Sequence, residues 1–132
     1  EMGTMPSQAR IDQFIAQVEQ GDHVEAIERF YHPEASMQEN FSAPRVGRET
    51  LMAHEAQALR RVRSVQSRCI GPVFANGDRV VIRWHFRFEG LDGSILELEE
   101  LAYQQWRGDC ILHEQFFYDP AQLRAQRTPA ET

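Results

Sequence analysis

Residues 79–119 read RVVIRWHFRFEGLDGSILELEELAYQQWRGDCILHEQFFYD, and their alternation decides the fold. In an extended strand, side chains two apart share a face. Val80, Ile82, Trp84, Phe86 and Phe88 therefore form one apolar row, with Arg83, His85, Arg87 and Glu89 behind it. The next run aligns Leu96, Leu98, Glu100, Ala102, Gln104 and Trp106, and the last aligns Leu112, Glu114, Phe116 and Tyr118. Two carboxyls, Glu100 and Glu114, thus interrupt rows that are otherwise hydrophobic. If the turn Arg107-Gly108-Asp109 pairs Trp106 with Cys110, Ala102 falls opposite Glu114 and Glu100 opposite Phe116.

Outward from this stretch, Asn76-Gly77-Asp78 reads as a hairpin turn behind an earlier strand over 64–74. Ala35, Met37, Glu39 and Phe41 alternate as a short strand, again with an acid on the apolar row. Three helices are expected upstream. The first starts at an N-cap, Ser7, presents Ile11, Phe14, Ile15 and Val18, and ends at Gly21. The second follows a capping box, Asp22 with Glu25, carries Val24, Ile27, Phe30 and Tyr31, and is stopped by Pro33. The third runs over about 47–62 and buries Leu51, Met52, Ala56, Leu59 and Val62. Helices followed by long strands predict an α+β fold, with three N-terminal helices packed on a strongly curved antiparallel sheet that encloses a pocket. A single domain is expected over 7–120, with residues 121–132 as a tail.

Composition narrows the function classes. The chain has 132 residues and a net charge of −6, which disfavours a nucleic-acid partner, since phosphate binding needs clustered cations. All 14 cations are arginine, so Schiff-base chemistry and a phosphate-loop lysine are excluded. No apolar run is long enough to span a bilayer, and no signal-like segment opens the chain. Two cysteines make no disulfide framework, so a cytoplasmic location is expected. Histidine spacing suggests no metal site, no nucleophile elbow is present, and no cofactor is expected.

Three stretches carry a resemblance. Residues 14–22, FIAQVEQGD, look like a first helix and its Gly-Asp turn; residues 30–35, FYHPEA, followed by Gly47-Arg48, look like the entry to a first strand and a third helix. Trp106-Arg107-Gly108-Asp109-Cys110-Ile111 with Phe117-Tyr118-Asp119-Pro120 looks like a last hairpin. Over roughly 7–120 the chain resembles the nuclear transport factor 2-like superfamily, which includes ketosteroid isomerases and SnoaL-like polyketide cyclases. The resemblance implies a cone-shaped fold and a homodimer formed through the sheet, but not a particular chemistry. The isomerases' oxyanion-hole tyrosine falls at Phe14 and their neutral aspartic acid at Ala102, neither of which can replace it. Their general base falls at Glu39, which can, while the cyclases' catalytic aspartate falls at Phe116.

The expected site therefore holds Glu39 as base and Glu114 or Glu100 as acid or orienting group. Two acids in an apolar pocket raise at least one pKa by desolvation and repulsion. The alternative placement is at a wet pocket mouth or against an arginine, because burying an unpaired carboxylate is costly. Phe14, Tyr31, Met37, Phe41, Met52, Trp84, Phe86, Ala102, Phe116 and Tyr118 are the expected ligand-contacting residues. The expected ligand is a small apolar or aromatic metabolite, and the reaction, if any, a cofactor-free isomerisation or cyclisation. A non-catalytic binding protein and a dimerisation module are the rival readings.

Overall fold

A computed structural model describes residues 5–125. Helix α1 (Gln8–Glu19) begins where Ser7 Oγ accepts the Arg10 N–H at 3.1 Å, the capping predicted for it. It ends in a Schellman turn. Gly21 adopts φ +91°, its N–H bonds Val18 O, and the Asp22 N–H bonds Gln17 O. Ile11, Phe14 and Val18 are the buried stripe.

The second helix departs from expectation. Helix α2 (His23–Phe30) starts without a side-chain cap from Asp22 and buries Ala26, Ile27 and Phe30 rather than Val24. Tyr31 is already extended and opens strand β1 (Tyr31–Glu39), so Pro33 lies inside a strand instead of ending a helix. The sheet tolerates it because the pairing of β1 is irregular between Tyr31 and Ser36, where the missing N–H is not required. Strand β2 (Arg45–Val46) and helix α3 (Arg48–Leu59) follow. Only Leu51 of α3 is fully buried, and Val62, expected on this helix, opens strand β3 (Val62–Asn76).

Strands β4 (Arg79–Gly90), β5 (Ile95–Arg107) and β6 (Cys110–Phe117) complete a six-stranded sheet ordered β2-β1-β6-β5-β4-β3. Its neighbours are antiparallel with one exception: β1 runs parallel to β6. The helices pack on one face of this curved sheet, in the α+β cone architecture predicted. Curvature has a local cause. Strand pairing shifts register at Tyr31/Ser36, Val62/Ser64, Ile70/Phe74 and Gln105/Trp106, and bulge-type irregularities of this kind bend strands and add twist.

The last bulge corrects the predicted register. Arg107 pairs with Cys110 and Trp106 with Ile111, after which Gln104 faces Glu114 and Ala102 faces Phe116. The slip from expectation is two residues, so Glu114 keeps its predicted face but meets Gln104 rather than Ala102. Ile111 takes the core position, fully buried, that Leu112 was expected to share. Helix α4 (Gln122–Ala125) covers the part of β5 beyond the reach of β6: the Gln122 amide bonds both the N–H and the carbonyl of Glu99. The rest of the expected C-terminal tail lies outside the described residues.

The core lies where α1 and α2 meet the sheet. Phe14 packs edge-on against Phe30, Tyr31 and Trp106 at centroid distances of 5.4, 6.1 and 6.2 Å. Burying each such ring contributes on the order of 2 kcal/mol or more, so this cluster holds one end of the sheet closed.

Candidate functional site

Next to this cluster the helices and the curved sheet leave a cavity of about 660 Å³. Cross-strand register explains which side chains reach it. One row across the inner face runs Val80, Gln104, Glu114, Met37; the next runs Ile82, Ala102, Phe116, Glu39; a third pairs Trp84 with Glu100. The first two rows begin as packed core and end in the cavity wall. Trp84 and Phe86 stack at 5.7 Å, and Phe88 continues the aromatic strip.

Glu114 is 3% exposed. Its Oε1 accepts the Tyr31 hydroxyl and its Oε2 accepts the Gln104 amide at 2.7 Å. Gln104 in turn accepts the indole N–H of Trp106 at 2.9 Å. These donors favour the carboxylate, but burial outweighs them and lifts the Glu114 pKa to about 7. Burial and the neighbouring acid also hold the Tyr31 phenol well above its ordinary value.

Glu100 is different in kind. Among the described residues its carboxyl has no hydrogen-bonding partner; desolvation first, then repulsion from Glu114, Glu39 and Glu55, raises its pKa to about 8. At neutral pH it is a protonated acid lying on an aromatic wall. A half-buried, unpartnered donor of this kind on a cavity wall can be satisfied by a ligand acceptor.

Glu39 has partners. Tyr118 donates to its Oε1 at 2.8 Å and Arg45 lies 3.4 Å from Oε2, with the Glu39 side chain 41% exposed. This matches the placement at a wet rim against an arginine. Burial, and then the bond to Glu39, raises the Tyr118 hydroxyl to about 12.

Of the side chains expected to contact a ligand, Phe14, Tyr31, Met37, Trp84, Phe86, Phe116 and Tyr118 line the cavity together with Glu39, Glu100 and Glu114. Three do not. Phe41 lies in the turn that ends β1, is 85% exposed and packs against Phe117. Met52 packs against the core from α3 without bordering the cavity, and Ala102, the cross-strand partner of Phe116, is fully buried in the core. Each was placed by strand or helix parity, which gives the face of an element but not where the element ends or what covers it.

The cavity wall also includes residues that parity did not single out. His23, His54 and Glu55 border it from α2 and α3. His23 Nε2 lies 2.8 Å from Ser67 Oγ and Nδ1 lies 3.4 Å from Glu55 Oε2. No local motif marks this group, because its members come from two helices and a distant strand.

With the geometry in place, the comparisons give the class. The model for the SnoaL-like domain matches residues 11–110. The chain belongs to that family, within the nuclear transport factor 2-like superfamily. Similar solved structures include a putative SnoaL-like polyketide cyclase from Mesorhizobium loti, at 21% identity and a TM-score of 0.70 over 83% of this chain and 97% of that one. TerC, co-crystallized with polyporic acid, superposes with a TM-score of 0.75 at 15% identity, covering 89% and 95%. A hypothetical protein with a ketosteroid isomerase-like fold from Catenulispora acidiphila, in complex with trimethylamine, gives 0.77 at 17%, covering 94% and 95%. At these identities the likeness is one of fold. Curated protein sequences yield no significant match. Among the described residues no helix is long and apolar enough to cross a membrane.

Proposed function

We propose that this protein binds a compact, largely apolar metabolite, aromatic or carbonyl-bearing, and isomerises or cyclises it by cofactor-free proton transfer. Glu100 is the acid that donates to the ligand carbonyl, Glu39 the base that takes a proton beside it, and Glu114 the orienting group held by Tyr31 and Gln104. The observation that carries this reading is the unpartnered Glu100 carboxyl, with its pKa near 8, on an aromatic cavity wall. A volume of about 660 Å³ suits a ligand of two or three fused rings. The neighbour named as a SnoaL-like polyketide cyclase supports proton-transfer chemistry as the class, and the polyporic acid co-crystallized with TerC supports a flat ligand.

A second reading, binding without catalysis, is favoured by Glu39 itself, which already has Arg45 and Tyr118 as partners. The ketone 2-tetralone separates the two. Its entry is read by quenching of the wall residue Trp84, and exchange of its α-protons in D2O is read by NMR. The catalytic reading predicts exchange above the buffer rate, reduced about 100-fold or more in Glu39→Gln while binding persists. Quenching without exchange leaves the binding protein; neither signal removes both readings.

We further propose a homodimer through the sheet's outer face. Leu101 and Tyr103 are exposed there beside the Arg83–Glu99 and His85–Glu97 pairs. Sedimentation at micromolar concentration distinguishes it from a monomer.

A further inference from the structure

The group formed by Ser67, His23 and Glu55 is a second constellation at the cavity that holds the proposed proton-transfer carboxyls, with Glu55 near enough to repel Glu100. In the tautomer that satisfies both contacts, His23 Nδ1–H faces Glu55 Oε2 at 3.4 Å and Nε2 accepts the Ser67 hydroxyl at 2.8 Å. The imidazole thus has a carboxylate at ion-pair distance from one nitrogen and an alcohol within hydrogen-bond distance of the other. The arrangement that activates serine nucleophiles is recognised by these roles and not by sequence order. The His23 side chain is only 11% exposed, and its ring packs edge-on against Phe86 at 6.3 Å, which limits the ways it can turn.

The strand supplies a further element. The Cys69 N–H donates to Glu19 at 2.8 Å, away from β4. Pairing is unbroken from Ser64 to Ile70, and in such a ladder alternate residues direct their N–H groups to the same side. The Ser67 N–H therefore points to the free edge of the sheet, beside its own hydroxyl. That is where a donor is needed if an oxyanion develops on a carbonyl attacked by Ser67 Oγ. Ser67 is the cross-strand partner of Phe86, and both Phe86 and His23 border the cavity.

We propose that Ser67, His23 and Glu55 form an acyl-transfer site for esters of small apolar or aromatic carboxylic acids, with the acyl group lying against Phe86. Ser67 Oγ passes its proton to His23 Nε2 and bonds to the ester carbonyl carbon. The resulting tetrahedral species collapses, the C–O bond to the alcohol breaks, and the alcohol leaves with the proton from His23. Water, deprotonated by the same nitrogen, then attacks the acyl-serine; the acid departs and Ser67 regains its proton. Glu55 acts through His23 and is a positioning residue.

The sheet's outer face provides an internal comparison. Ser36 Oγ lies 2.7 Å from His113 Nδ1 in an exposed pair, and no acidic partner of His113 is seen among the described residues. The full chain is treated with phenylmethylsulfonyl fluoride and, separately, p-nitrophenyl butyrate, and adducts are mapped by mass spectrometry. The expected result is a single adduct on Ser67, absent in Ser67→Ala and slowed at least 10-fold in His23→Gln. Labelling in Glu55→Gln is slowed while Glu55→Asp restores it, which a purely structural role for Glu55 does not predict. Should Ser67→Ala fail to fold, Ser67→Cys replaces it: iodoacetamide at pH 6 is expected to modify position 67 faster than Cys69 or Cys110. No adduct, an adduct on Ser36 instead, or an unreactive thiol at position 67 overturns the proposal.

Discussion

Two glutamates on the same inner face are treated in opposite ways. Both border the cavity, but Glu114 is fixed by two donors whereas Glu100 has none among the described residues. The folded protein keeps the Glu100 proton to about pH 8, whereas an unfolded chain releases it near 4.5. Between those limits the folded state binds more protons, so this group's contribution is complete below pH 4.5 and declines as pH rises toward 8. Glu114 adds a similar decline that ends near pH 7. Urea unfolding across this range is expected to show Glu100→Gln losing less stability than the parent chain, by roughly 2–4 kcal/mol. Gln104→Met tests the other acid. It removes a donor from Glu114 and leaves the Trp106 N–H unpaired, at a cost of about 1–3 kcal/mol. Because the lost bond lowers the Glu114 pKa, that carboxyl is expected to titrate above 7, as carboxyl NMR will show.

Elements were legible wherever a local rule was strong. Period-two alternation located β4, β5 and β6 and the inward faces of Glu100 and Glu114, and Ser7 and Gly21 bracketed α1. Other features depended on distant partners. Tyr31 carries a helical pattern yet extends, because its hydroxyl meets Glu114, a residue 83 positions away. The turn pairing Arg107 with Cys110 and the irregularity at Gln105/Trp106 each shifted the last hairpin by one residue, a change no single strand encodes. Gly21 exemplifies the strong local rule. Nothing lies within 4 Å of a Cβ added there, so Gly21→Ala is strained only by its φ of +91°. A loss of about 1 kcal/mol in thermal or urea unfolding is expected. Helix α3 is at the other extreme, with Leu51 its one fully buried residue. Its amides are expected to exchange with deuterium ahead of those in β4 and β5, which lie inside the sheet. An equally protected α3 would mean that the helix is not the weakly held wall its packing implies.

At the scale of the whole molecule, the cavity exists because irregularities of strand pairing bend the sheet while large aromatic side chains fill only one end of the space beneath it. Sequence patterning indicated such a hollow and most of the side chains on its sheet side. The helix side, with His23, His54 and Glu55, was not legible, since it depends on how α2 and α3 rotate against the sheet. The most direct test is a carboxyl NMR titration of the ligand-free protein with Glu100 assigned by its glutamine variant. A midpoint near 8 is expected, the mark of a neutral acid awaiting an acceptor. A midpoint near the ordinary value of 4.5 would place Glu100 in water and contradict it.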